Sequence, residues 1–434
     1  AATDTLIALA QTLTDADARR EAVEGLGART EDKARNALEG IAREDRKTDV
    51  QREAVETLGE MDGPQGIAAL QDIARRHGNV DVRREAVETL GETMPPADAV
   101  TFLLEVARTD RHPDVAREAV ETLGAVETDA AHAALSTIAQ THQHPDVRRE
   151  AVETLGEHWP TDETVEQLIQ VARGDGNVDV QREAVETLGE IGEGIGLGAV
   201  VELAMTHRHP DVRREAIETV GEHAAPAEAL KVLRDVIRDD PSSDVRREAV
   251  ETLGGLETDA AVALLREIVT NSRDAEVQRE AVETLGEASH DTATMALLER
   301  VARSATGEDV RTEAIETLGE MEDARALARV ASLARSHPDP DTRREAVETL
   351  GEHGEAKDVV PLLTTILNQD ASVDVQHEAI ETLMELPGGA GINAVIQAAR
   401  SHPNREVRQE ALKRLAESDD PKAREIFDRA LGRP

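Results

Sequence analysis

Cysteine and tyrosine are absent from the 434 residues, and only three aromatic side chains occur, Phe102, Trp159 and Phe427. Without cysteine there are no disulfides, no thiolate chemistry and no Cys-ligated zinc, and the redox compartment stays open. Three aromatics give no stacking platform for bases. Positive charge is also scarce. Lys and Arg number 49 against 89 Asp and Glu, for a formal net charge of −40, and only six of the 49 are Lys. A chain this acidic does not bind nucleic acid non-specifically, because affinity for phosphate comes from basic side chains. No apolar run approaches the ~18 residues of a membrane helix, so no membrane insertion is expected.

Catalytic signatures are missing too. There is no His-Glu-x-x-His pair, Walker loop, EF-hand loop, nucleophile elbow or Asn-x-Ser/Thr site. Gly192-Glu193-Gly194-Ile195-Gly196-Leu197-Gly198 has the look of a phosphate loop, but it follows a helical segment rather than a strand and reads as an inter-repeat turn. The fourteen His cluster in segments between helices. His112, His144, His209, His337 and His402 each precede Pro, while His158, His223 and His353 follow a Gly-Glu. A turn role near helix ends accounts for them. These absences lead to the expectation of a non-enzymatic protein with no cofactor and no resident metal.

What is present is repetition. Glu-Ala-Val-Glu-Thr-Leu-Gly or a near variant starts at Glu21, Glu53, Glu85, Glu118, Glu150, Glu183, Glu215, Glu248, Glu280, Glu313, Glu345, Glu378 and Glu410. After the first step the spacings alternate between 32 and 33, so the true period is 65, or two units. Each unit reads as two helices. Around Glu85, Asp81 opens a helix facing the dipole, and Val82, Ala86, Val87 and Leu90 share one face at 3.6 periodicity. Gly91 is expected to stop that helix as a C′ residue. The other helix carries Ile67, Leu70 and Ile73-Ala74, or in the next unit Leu103-Leu104 and Val106-Ala107. Neither helix buries its apolar stripe alone, whereas stacked pairs bury a continuous core.

The run Asp81-Val82-Arg83-Arg84-Glu85-Ala86, followed by Leu90-Gly91, resembles the HEAT-like repeat family in its short, phycobilisome-lyase-type form. The resemblance covers about residues 3 to 431. It implies an all-α, right-handed α-solenoid of about thirteen helix pairs forming one continuous domain over residues 1–434. The first unit is placed at about 1–28, the last full unit at about 387–417 and a C-terminal capping helix at about 420–431. At ~10 Å per stacked pair, the array would run roughly 130 Å along its contour. The family also contains a di-iron hydroxylase that holds metal with several His-Glu pairs. Here only His377-Glu378 matches, and His377 reads as a solvated substitution for Arg. Lyase-type relatives handle bilins, to which a chain without cysteine and nearly without aromatics is poorly suited.

In the HEAT-like family the second helix of each pair lines the concave surface. With Val82, Ala86 and Leu90 buried, its opposite side carries Arg84, Glu85, Glu88, Thr89 and Glu92. The expected stripe therefore consists of Glu53, Glu56, Glu85, Glu88, Glu118, Glu121, Glu150, Glu153, Glu183, Glu186, Glu215, Glu218, Glu248, Glu251, Glu280, Glu283, Glu313, Glu316, Glu345 and Glu348. Like charges at i,i+3 and i,i+4 cost a few tenths of a kcal/mol per pair, so the repetition calls for an explanation. Three remain open: a ladder in which Arg of one repeat pairs with Glu of the next, adaptation to high salt, or a surface for something cationic. Because this helix hardly varies between units, a ligand of that face would be basic or repetitive. The function expected is a protein-interaction scaffold for a basic or repetitive protein partner. Self-assembly with other copies into fibres or a surface layer, and an acidic array binding divalent cations, are the alternatives. The Ala1 start and the missing cysteine fit a periplasmic or extracellular location.

Overall fold

The computed structural model describes residues 2–61, 64–418 and 421. The described residues form an all-α solenoid of thirteen helix pairs. The chain divides into two compact units, Ala1–Ala224 and Ala225–Pro434. The first holds seven pairs, from Ala2–Thr12 with Ala16–Gly27 to Leu197–Thr206 with Pro210–His223. The second holds six, from Pro226–Asp239 with Ser243–Gly254 to Ile392–Ser401 with Arg405–Glu417. We call the first member of each pair the variable helix and the second the motif helix. The expected C-terminal capping helix lies outside the described residues.

The apolar periodicity is used as the sequence suggests. In the motif helix Val80–Thr93, Val82, Ala86, Val87 and Leu90 are fully buried. The variable helix Pro96–Thr109 contributes Phe102, Leu103, Val106 and Ala107. Burying a Leu or Val of this kind contributes about 1.5–3 kcal/mol, and one such layer is added with every pair. Caps sharpen the turns. Pro occupies the first turn of Pro113–Ala125, Pro145–His158 and Pro210–His223, where its missing N–H costs nothing. The side chains of Thr128, Thr161 and Thr258 accept N–H bonds at the starts of variable helices.

Within each unit the two layers pack differently. Successive motif helices contact one another along their length, whereas successive variable helices meet at few positions. The motif helices therefore form the more closely packed layer of each unit.

Two local expectations change. Gly91 does not end its helix, which continues to Thr93 with Met94 as cap. The glycine-rich segment is a turn, but an ordered one. A 3₁₀ turn spans Ile191–Gly194, and Gly192 and Gly194 adopt φ of 51° and 87°, a region open to glycine. The next helix starts at Leu197.

Candidate functional site: the carboxylate rows of the motif helices

The motif helices approach one another through their Gly and Thr. A Cβ built on Gly59 would lie 2.1 Å from Thr89 Cγ2, one on Gly91 2.0 Å from Thr122 Cγ2, and one on Gly286 2.0 Å from Thr317 Cγ2. Each Gly therefore receives the methyl of a Thr on the next motif helix. The Thr hydroxyl turns inward and donates to the carbonyl four residues back, as Thr89 Oγ1 does to Glu85 O at 2.7 Å. Thr89 is thus buried rather than outward-facing, a correction to the helical-wheel reading. Both exceptions fit the same logic. Gly25 replaces the Thr in the first motif helix, which has no motif helix before it in the described chain, and Arg414 replaces it in the last, where the residue it faces is Met384 rather than Gly.

Close approach brings charges into register. The Arg before the first Glu reaches the first Glu of the next motif helix: Arg20 to Glu53 at 2.8 Å, Arg52 to Glu85 at 2.6 Å, Arg84 to Glu118 at 2.7 Å, and Arg117 to Glu150 at 2.7 Å. Arg149 meets Glu183 and Arg182 meets Glu215, both at 2.6 Å. In the second unit, Arg247 meets Glu280 at 2.8 Å, Arg279 meets Glu313 at 2.9 Å, and Arg344 meets Glu378 at 3.4 Å. The Glu side of each pair is largely covered, while the Arg side stays between a third and a half exposed. Burial raises Glu118 and Glu313 above the ordinary carboxylate value, and their Arg partners oppose that rise. Glu53, Glu85, Glu118, Glu150, Glu183, Glu215, Glu280 and Glu313 of the expected stripe are therefore rungs of an inter-repeat ladder.

The second row is different. Glu56, Glu88, Glu121, Glu153, Glu186, Glu218, Glu251, Glu283, Glu316 and Glu348 are all exposed. Partial burial pushes Glu56, Glu88, Glu153 and Glu186 up, and the surrounding carboxylates push them further in the same direction. For Glu88 those neighbours are Glu118, Glu85, Glu92 and Glu121. Between the motif helices Ser243–Gly254 and Ala275–Ala288 the rows border an open cavity of about 880 Å³, lined by Glu251, Glu283 and Glu287 with Arg247 and Arg279. Among the described residues no group of three or more His, Asp or Glu is placed to hold a metal ion.

The loops contain a network that sequence reasoning passed over. His77, His142, His207, His337 and His402 end the variable helices, and Nδ1 of each accepts the backbone N–H two residues on, at 3.1–3.2 Å. His142 Nε2 also contacts Ala107 O at 3.0 Å, and His402 Nε2 contacts Leu367 O at 3.1 Å. In alternate loops Asp110, Asp175 and Asp370 accept the same N–H and also an Arg of the preceding motif helix: Arg83, Arg148 and Arg343. The alternation of His and Asp turns follows the 65-residue period, and its signal was available in the spacing of His77, His142 and His207. His377 is half-buried, and its Nε2 is covered with no hydrogen-bond partner among the described residues.

A family model described as HEAT repeats matches residues 3–78, 67–155, 133–194, 197–286, 268–336 and 327–391. The chain belongs to the HEAT-repeat family. No curated protein matches its sequence. Among solved structures it is similar to a mutant of Kap121p, with 12% identity and a TM-score of 0.51 over 95% of this chain and 53% of that one. It is also similar to Kap95p in a structure concerned with binding to RanGDP, with 12% identity and a TM-score of 0.50 over 99% of this chain and 69% of that one. The chain spans about half the length of the first, and at these identities the likeness is one of fold.

Proposed function

We propose that this protein is a non-enzymatic protein-interaction scaffold whose motif-helix face accepts a basic or repetitive protein segment. The observation that carries this reading is the second Glu row, exposed on consecutive motif helices, in which partial burial and then neighbouring carboxylates push Glu88, Glu153 and Glu186 up. A cationic segment laid along the row relieves repulsion that the fold itself leaves in place. The first row has already spent its charge on the ladder, so recognition falls to Glu56, Glu88, Glu153, Glu186 and their counterparts. A near-constant row reads charge and spacing rather than one particular sequence.

The test is fluorescence anisotropy of a labelled polylysine peptide, with light scattering on the same samples. The peptide is expected to bind at low ionic strength and to be released near ~0.5 M salt, where screening is short-ranged. Changing Glu56, Glu88, Glu153 and Glu186 to Gln should weaken capture far more than the same charge change at exposed acids of variable helices, such as Asp98, Asp129, Asp162 and Glu163. Equal loss from both sets would reduce the effect to net charge and sink the proposal. Mass that grows with protein concentration in the absence of peptide would make another copy of the chain the partner.

A further inference from the structure

At nine junctions between motif helices a guanidinium reaches the first Glu of the next repeat. Thr312 stands where that Arg would be, facing Glu345. The space beside it is a cavity of about 80 Å³ lined by Glu308, Arg311, Thr312, Asp341, Arg344 and Glu345. The cations nearest the gap are committed elsewhere. Arg311 binds Asp339 at 3.3 Å and Ala305 O at 3.0 Å, and Arg344 goes to Glu378 at 3.4 Å and Asp341 at 3.7 Å. The ladder also lacks its Arg at His377, but there Glu410 is served by Lys413 at 3.4 Å and Arg414 at 2.9 Å of its own helix. Glu345 receives no such substitute. The carboxyl of Glu316 on the preceding motif helix instead comes within hydrogen-bonding reach of it, and two such carboxyls can bond only while one keeps its proton.

We propose that the contact between the helices Glu308–Glu320 and Pro340–His353 is a proton-operated joint, closed while Glu345 and Glu316 share a proton and loosened when both ionise. The direction agrees with the surroundings. Burial first, then Glu316 and Glu348, push Glu345 up to about 7, and Arg344 opposes them. Glu316 is raised too, by burial and then by Glu320, Glu352 and Glu348. From the following motif helix, Glu378 and Glu381 add negative charge, while Arg344 stays bound to Glu378. On the variable helix Ala324–Ser336, Arg325 and Arg329 are taken up by Asp323 and Glu299, and Arg335 borders a separate cavity with Glu352 and His353. The closed form binds the extra proton, so it is favoured as pH falls through 7 and lost as pH rises above it.

A chain without cysteine allows clean site-directed spin labelling. Ser304 and Ser336 are exposed at the ends of consecutive variable helices and report the spacing of the two pairs. In the full chain carrying S304C and S336C, the inter-label distance distribution is expected to be narrow at about pH 5.5 and to broaden or shift by about pH 8.5, with a midpoint near 7. Adding Thr312→Arg supplies the missing rung and should abolish the change. Glu345→Gln should hold the narrow form at both pH values. A distribution identical at both pH values, or a change that survives Thr312→Arg, overturns the proposal. The unlabelled protein gives a second reading: the fall in Tm across this range should be shallower in Thr312→Arg than in the parent, and equal slopes also overturn it.

Discussion

At the scale of single residues, the repeat motif states a contact between neighbouring helices. Gly and Thr are its two halves, and a side chain on the Gly has nowhere to go. Gly286→Ala places a Cβ 2.0 Å from Thr317 Cγ2. It should cost about 1–3 kcal/mol, the usual range for overpacking. Thr317→Ser removes the methyl and keeps the hydroxyl that donates to Glu313 O at 2.6 Å. The double variant should recover most of the lost stability in urea melts, and failure to recover would place the strain elsewhere. The Arg-Glu ladder is the second inter-repeat contact. Arg84 is half exposed and Glu118 is covered. A double-mutant cycle on Arg84→Ala and Glu118→Gln should give a coupling of about 1 kcal/mol or less, as solvent-screened pairs do. Removing the Arg alone should cost more than removing both partners, because it strands a covered carboxylate.

At the scale of elements, the turns decide the two-pair rhythm. Three turns after motif helices hold a non-glycine residue at positive φ: Glu127 at 46°, Glu257 at 47° and Glu322 at 49°. Gly192 occupies the matching place, 65 residues before Glu257, at φ 51°. Left-handed geometry costs an ordinary residue about 1–2 kcal/mol. Glu257→Gly should therefore raise Tm, with a net gain of about 0.5–1 kcal/mol after the glycine entropy cost. The His turns make the opposite case. His402→Ala leaves the Asn404 N–H and the Leu367 carbonyl without their side-chain partner. It should destabilise by about 1–3 kcal/mol, as unsatisfied buried groups do. Thermal melts of the variant check this, and an unchanged Tm would mean that water replaces the ring.

At the scale of the whole molecule, charge dominates. With a net charge of −40, self-repulsion opposes the folded state and added salt screens it. Tm should rise on going from low to moderate ionic strength, and calorimetry with a non-binding salt tests this. The pH dependence has a sign that can be worked out. Glu56, Glu88, Glu118, Glu153, Glu186, Glu313 and Glu345 are raised in the folded state. The folded chain therefore binds more protons, and their contribution to stability grows as pH falls from about 7 toward the unfolded carboxylate value. His207 acts the other way: burial lowers it, so its turn loses stability as pH falls below the ordinary His value. Asp291 and Asp339 are lowered by the bonds they accept, so their contribution is lost as pH falls below the ordinary Asp value. Stability should pass through a maximum in mildly acidic solution. A maximum above pH 7 would show that the carboxylate rows do not set the balance.

The helix pairs, their number, their apolar faces and their 65-residue rhythm were legible in the sequence. Each is a matter of local periodicity, and Val82, Ala86, Val87 and Leu90 must share a face wherever the helix goes. The roles of the exposed-looking letters were not legible. Thr89 and Glu85 lie opposite the core on one isolated helix, and only the neighbouring helix covers the first and pairs the second. Gly91 reads as a stop because glycine commonly ends helices, but tertiary packing uses it as a point of close approach. The sequence alone determined a HEAT array with two rows of carboxylates. Only the tertiary structure decided that Arg pairs with most of one row, that the other faces solvent, and that Glu345 stands where the Arg is missing. Charge pairing between repeats depends on how far helices stand apart, and that distance is set by the Gly-Thr contact.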